Sequence, residues 1–129
     1  MNKIIFSAIL MLGFVTQVDA ANWVFIDGNS EMAVYADVDS RTHNRAWFEA
    51  RYIRPQKSYN GRYFMNFRYL SEYSCDAKTT RWLTATLYTK TYAVVGSLTP
   101  PSYQIKDDYV IPGSIGESMY HFVCSNYSQ

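Results

Sequence analysis

Apolar and polar residues alternate along most of this chain. A period of two is the mark of a half-buried β-strand. The longest such run is 62–75. Tyr63, Met65, Phe67, Tyr69, Tyr73 and Cys75 share one face, and Arg62, Asn66, Arg68 and Glu72 share the other. Residues 46–53 repeat the pattern, with Ala46, Phe48, Ala50 and Tyr52 opposed to Glu49 and Arg51. Shorter runs at 23–26, 32–38, 81–88 and 92–98 complete a set of six predicted strands. Turn chemistry separates them. Asp27-Gly28-Asn29 closes the first run, and Asn60-Gly61 between two strand-like runs is a hairpin signal. Pro55 cannot donate to a ladder, so the third strand is expected to end near Arg54, with a short loop starting at Pro55. Pro100-Pro101 ends the last run, and the segment up to Val110 reads as irregular and exposed.

The period changes to helical near the C-terminus. Ser114-Ile115-Gly116-Glu117 has the spacing of a capping box, in which each side chain satisfies a free backbone N–H at the helix start. Ile115, Met119, Phe122 and Val123 then form one stripe, with Glu117, Ser118 and His121 on the opposite side. Cys124 falls in the last turn. The stripe must bury against something, and the sheet face carrying Cys75 is the available partner. The expected fold class is α+β: an antiparallel sheet of about six strands with one C-terminal helix packed on it.

Residues 1–20 read as a secretory signal peptide. Lys3 gives a basic start, 4–15 is almost unbroken apolar sequence, and Val18-Asp19-Ala20 fits a signal-peptidase site. The apolar run is shorter than the ~20 residues of a spanning helix, so no transmembrane segment is expected. No cysteine lies near the cleavage point, so no lipid anchor is expected. The folded domain is then 21–129, in the periplasm or at the cell surface. Export places Cys75 and Cys124 in an oxidising compartment, where pairing with each other is the simplest outcome and free buried thiols the alternative.

Composition narrows the function by exclusion. The chain has 129 residues, 48% hydrophobic and 18% charged, which is too apolar for disorder. A net charge of +1 provides no field for a polyanion, so nucleic acid is not an expected partner. Two histidines and two cysteines are too few for a zinc site of the usual kind, and no cofactor is expected. Asp37, Asp39 and Asn44 lack the remaining ligands of a calcium loop and read as turn formers. Glu117 and His121 read as an exposed helix pair. No Gly-x-Ser-x-Gly elbow, Cys-x-x-Cys pair or Gly-rich phosphate loop occurs, and no catalytic activity is expected. The most suggestive surface is basic and aromatic. Arg54, Lys57, Tyr59, Arg62 and Arg68 gather around the Asn60-Gly61 hairpin, with Arg51 on the strand before it. Arg and Tyr are favoured at binding hot spots, so these residues are the candidate protein-binding set. The competing reading is a solvated face paired with Glu49 and Glu72. Trp47 and Trp82, opposite the small and Leu positions of their strands, are candidates for an exposed patch. Exposed strand edges also allow a homodimer.

The ordered set of features resembles the surface-adhesin protein E-like family of Gram-negative bacteria. The residues that carry the resemblance are Tyr35-Ala36-Asp37, Cys75 closing a long strand, Pro112-Gly113-Ser114 before the helix, Glu117, and Val123-Cys124 at the helix end. The resemblance implies a six-stranded antiparallel sheet with a disulfide-bonded C-terminal helix. It also implies a non-catalytic binding module with a protein partner, such as a host extracellular-matrix or plasma protein. A periplasmic protein that binds a partner within the same cell is the alternative.

Overall fold

The computed structural model describes residues 21–125. The signal-peptide reading of 1–20 lies outside the described residues. Among the described residues, seven antiparallel strands form one sheet: β1 (Trp23–Gly28), β2 (Met32–Asp37), β3 (Arg45–Lys57), β4 (Tyr63–Ser74), β5 (Thr79–Tyr88), β6 (Val94–Leu98) and β7 (Asp108–Tyr109). The order β1-β2-β3-β4-β5-β6 is a plain meander, in which each strand pairs with its sequence neighbour. The two-residue β7 pairs with the start of β5, through Thr79↔Tyr109 and Thr80↔Asp108. Alternation could not reveal this strand, because two residues carry no period. One α-helix, α1 (Ile115–Cys124), follows.

The helix covers one face of the sheet, and the residues beneath it explain how closely it sits. Val34, Ala36, Ala46, Phe48 and Ala50 are buried there, three of them alanines that leave room for α1. Met119, Tyr120 and Val123 come down from the helix onto this floor. Phe48 makes ring contacts with Tyr69, Tyr73 and Phe122. Burial pushes the Tyr73 hydroxyl up to about 12, against hydrogen bonds to Thr80 and Ser71 that act the other way. The capping box forms: the Glu117 N–H donates to Ser114 Oγ at 3.1 Å. Glu117 Oε1 reaches back one residue further than expected, to the Gly113 N–H at 2.9 Å. Cys75 and Cys124 are disulfide-bonded, with Cα atoms 5.7 Å apart. Tyr120 Oη donates to the Cys75 carbonyl at 2.6 Å beside it.

Four expectations change. β3 does not stop near Arg54 but runs through Pro55 to Lys57. The β3–β4 register is interrupted between Arg51 and Gln56, and β2 pairs no further than Tyr52. Pro55 therefore sits where no ladder partner asks for its N–H. The sixth strand begins at Val94 rather than Tyr92, which lies in the β5–β6 turn with φ 71°. Trp82 is exposed, at 40%, but on the opposite face of the sheet from Trp47. A register shift between Leu70 and Ser71 pairs Ser71 with Trp82 and turns that ring to the helix side, beside Phe67, Tyr69 and Met119. Ser118 is not on a solvent face; its Oγ donates to Asp27 Oδ2 of β1 at 2.6 Å.

Candidate functional site

The face of the sheet away from α1 has no covering layer among the described residues, and a row across its middle carries a charge cluster. Tyr35, Glu49, Arg68, Thr86 and Ser97 lie side by side on β2 to β6. Glu49 is in the middle strand and is 0% exposed. Three donors meet its carboxylate. Arg68 Nε reaches Oε1 at 2.7 Å, Arg51 Nε reaches Oε2 at 2.7 Å, and Tyr92 Oη also donates to Oε2. Burial pushes the Glu49 carboxyl up, but the bonds from Tyr92, Arg68 and Arg51 outweigh it and hold the group below its usual range. Burial acts downward on both guanidinium groups, and the Glu49 bond more than restores them. The site is one buried anion under two cations, with a net charge of +1.

Aromatic rings wall these cations. Arg51 stacks over Tyr35, with Cζ 3.7 Å from the ring centre. Arg68 stands among Trp23, Tyr88 and Tyr92, with Cζ 5.0 to 5.2 Å from each centre. Tyr92 reaches the cluster because the β5–β6 turn folds back. The Tyr92 N–H bonds the Thr89 carbonyl and the Thr89 N–H bonds the Ala93 carbonyl. A positive φ is unfavourable for a bulky side chain, and the bond to Glu49 and the packing on Arg68 offset that cost. Beside Arg68 is a recess of about 290 Å³, lined by Ala21, Trp23, Asp37, Trp47, Arg68, Thr86 and Tyr88. Trp23 Nε1 is the one buried side-chain nitrogen or oxygen among the described residues without a hydrogen-bond partner. Such a donor costs about 1–3 kcal/mol to leave unmatched.

The residues singled out from sequence divide into separate places. Arg68 belongs to the Glu49 cluster. Arg54 lies in the irregular stretch of β3 between Arg51 and Gln56, outside the regular pairing that sets Glu49 beside Arg68. Arg54 and Lys57 are exposed near the hairpin tip. The Asn60-Gly61 turn forms: the Gly61 N–H bonds the Ser58 carbonyl at 3.0 Å, and Gly61 has φ 83°. Tyr59, Asn60 and Arg62 lean onto β6. Tyr59 Oη donates to the Ser97 carbonyl at 3.0 Å; Asn60 Nδ2 and Arg62 Nη1 donate to the Val95 carbonyl at 3.2 and 3.3 Å. A Cβ on Gly96 would come within 2.9 Å of Tyr59 Oη, so glycine is what lets the tip sit down here. Glu72 binds Arg45 and Arg81 at 2.9 and 3.2 Å in a second ion-pair group.

Sequence reasoning places Glu49 and Arg51 on the correct face but gives Glu49 only the role of a surface counter-charge. Its burial depends on Tyr92, a residue 43 positions away whose turn carries no Gly or Asn to announce it. Among the described residues no group of three or more His, Cys, Asp or Glu could hold a metal ion. No helix among them is long and apolar enough to cross a membrane. Glu117 and His121 form an exposed pair at 3.8 Å. Asp37 Oδ1 accepts from the backbone of Asn22 and Asp39, as a turn former does.

A search of curated protein sequences finds no match. Among solved structures, crystal form II of Haemophilus influenzae protein E is similar with a TM-score of 0.52 at 15% identity. The match covers 86% of this chain and 100% of that one. The selenomethionine form of Haemophilus influenzae protein E gives 0.50 at 16% identity, over 86% and 98% of the two chains. At this identity the likeness shows a shared fold. The sequence itself matches the family described as surface-adhesin protein E over residues 23–125, which takes in every strand and the helix, and the chain belongs to the surface-adhesin protein E family.

Proposed function

We propose that this chain is an exported, non-catalytic binding module that engages a protein partner through the face of the sheet away from α1. The observation that carries the reading is the Arg51–Glu49–Arg68 cluster. It fixes two arginines among tyrosine and tryptophan rings on an uncovered face. Arg, Tyr and Trp are the side chains that contribute most at protein interfaces, and side chains already held in place lose little freedom on binding. Arg54 and Lys57, with the tip residues Tyr59 and Arg62, extend the surface at one end. Membership of an adhesin family supports a host extracellular-matrix or plasma protein as the partner.

Protease treatment of intact cells tests the export and display on which the reading depends. The protease must be one that cannot enter the periplasm, and a periplasmic marker must survive as the control. Digestion of the protein is the expected result. Protection would move the partner inside the envelope of the same cell and remove the adhesin role.

A further inference from the structure

Charge is unevenly spread along this chain. No Asp or Glu occurs between Glu49 and Glu72, where Arg51, Arg54, Lys57, Arg62 and Arg68 fall. Residues 49–71 therefore carry +4, while the rest of 21–129 holds nine carboxylates against six cations. Glu49 binds Arg51 and Arg68. Arg54, Lys57 and Arg62 are exposed and enter no ion pair among the described residues. All three stand on the β3–β4 arm, beyond Tyr52, where β2 stops pairing. The carboxylate that meets the arm is Glu31 of the β1–β2 turn, whose backbone carbonyl accepts the Ile53 N–H at 3.0 Å. Lys90, exposed in the β5–β6 turn at the same end of the meander, offsets it. Asp27 and Glu117 belong to the far edge, where α1 meets β1.

Apolar side chains are exposed among these cations. Ile53, Tyr59, Tyr63 and Val94 are 59–61% exposed. Tyr59 and Arg62 bond the Ser97 and Val95 carbonyls, which gathers Tyr59, Arg62, Tyr63 and Val94 over one corner of the sheet. An acidic polymer would engage the cations and leave the apolar groups in water. The boundary zone of a bilayer takes both: cations among the headgroup phosphates, tyrosine and aliphatic side chains at the edge of the acyl region. We infer that the arm at 53–63 is a peripheral membrane anchor that docks on a leaflet rich in anionic phospholipid. The inference goes beyond the protein-binding reading and does not rest on it. Arg54 and Lys57 then serve the membrane, and the Glu49 cluster serves the partner.

The test floats the 21–129 protein with phosphatidylcholine vesicles, with and without phosphatidylglycerol. The protein should float with the anionic vesicles and not with the neutral ones, and added salt should weaken the binding. Arg54→Ser with Lys57→Ser breaks no side-chain bond among the described residues and should keep the fold. It should weaken vesicle binding about 25-fold, or about fivefold per cation. Ile53→Ser with Tyr63→Ser keeps every charge and should weaken binding roughly tenfold. Amide spectra matching the parent establish that both variants are folded. Equal flotation with both kinds of vesicle, or none with either, overturns the proposal. So does parental binding by either folded variant. Binding of polyglutamate or a heparin hexasaccharide by a protein that ignores the anionic vesicles overturns it in favour of an acidic protein or a glycan. If the vesicles fail while the protein is still digested on intact cells, only the anchor falls and the adhesin reading stands.

Discussion

Two arginines can stand close together on adjacent strands because a buried carboxylate lies between them. Glu49 accepts from Arg51, Arg68 and Tyr92, and all of these bonds reach the ionised form. Glu49→Gln keeps the shape and removes the charge, leaving two guanidinium groups facing each other. Breaking a buried ion pair by removing one partner costs about 3–5 kcal/mol, and the partial exposure of both arginines argues for the lower end. Urea unfolding should show that loss. A Glu49→Gln protein within experimental error of the parent would mean that solvent already neutralises the arginines. The same residue gives a pH dependence. Its carboxyl is held below the ordinary 4.5 in the folded chain, so it stabilises the fold above that pH. The contribution is lost as pH falls from 4.5 through the lower folded value. Glu49→Gln should flatten this acid limb of the stability profile.

At the scale of elements, the β3–β4 hairpin acts on the edge of the sheet. The Leu98 carbonyl accepts from Thr84 of β5, so the adjacent Ser97 carbonyl, of opposite parity, points away from β5, and Val95 is the extra residue at the β5–β6 register shift, with no partner on β5. These are the carbonyls that Tyr59, Asn60 and Arg62 occupy. The tip therefore blunts an edge strand that would otherwise invite pairing with another chain. Replacing Tyr59 and Arg62 together with alanine should uncover that edge. Sedimentation velocity should then show stronger concentration-dependent association than the parent; a profile unchanged from the parent would remove the edge-guarding role. The hairpin and the capping box are legible in the sequence because each is a local device read over four or so residues. Pro55 misleads because a missing N–H matters only where a neighbouring strand needs one. Trp82 misleads because a single register shift reverses every face beyond it. Tyr92 is not legible as part of the cluster, since nothing local shows that its turn folds back over Glu49.

Across the whole molecule, the two faces of the sheet divide the work, and the disulfide belongs to the helix side. A ten-residue helix has little stability of its own, so α1 depends on its contacts. Its stripe rests on the alanine floor, Ser118 holds β1, Arg41 donates to the Phe122 carbonyl, and Cys124 is bonded to the end of β4. Cys75 and Cys124 are 49 positions apart, and closing a loop of that length stabilises by about 4 kcal/mol in the chain-entropy model. Replacing both cysteines with serine should lower the unfolding free energy by about 2–5 kcal/mol. The Glu49 cluster is assembled by β1 to β5 and the β5–β6 turn on the face away from α1, and of these strands β1 is the one hydrogen-bonded to the helix, through Asp27 and Ser118. Below its lowered midpoint, the serine variant should therefore keep the Trp23 indole resonance of the parent protein while amides of α1 exchange faster. Loss of that resonance position in a variant that is still folded would show that the helix shapes both faces, and the open face would then have to be treated as coupled to the disulfide.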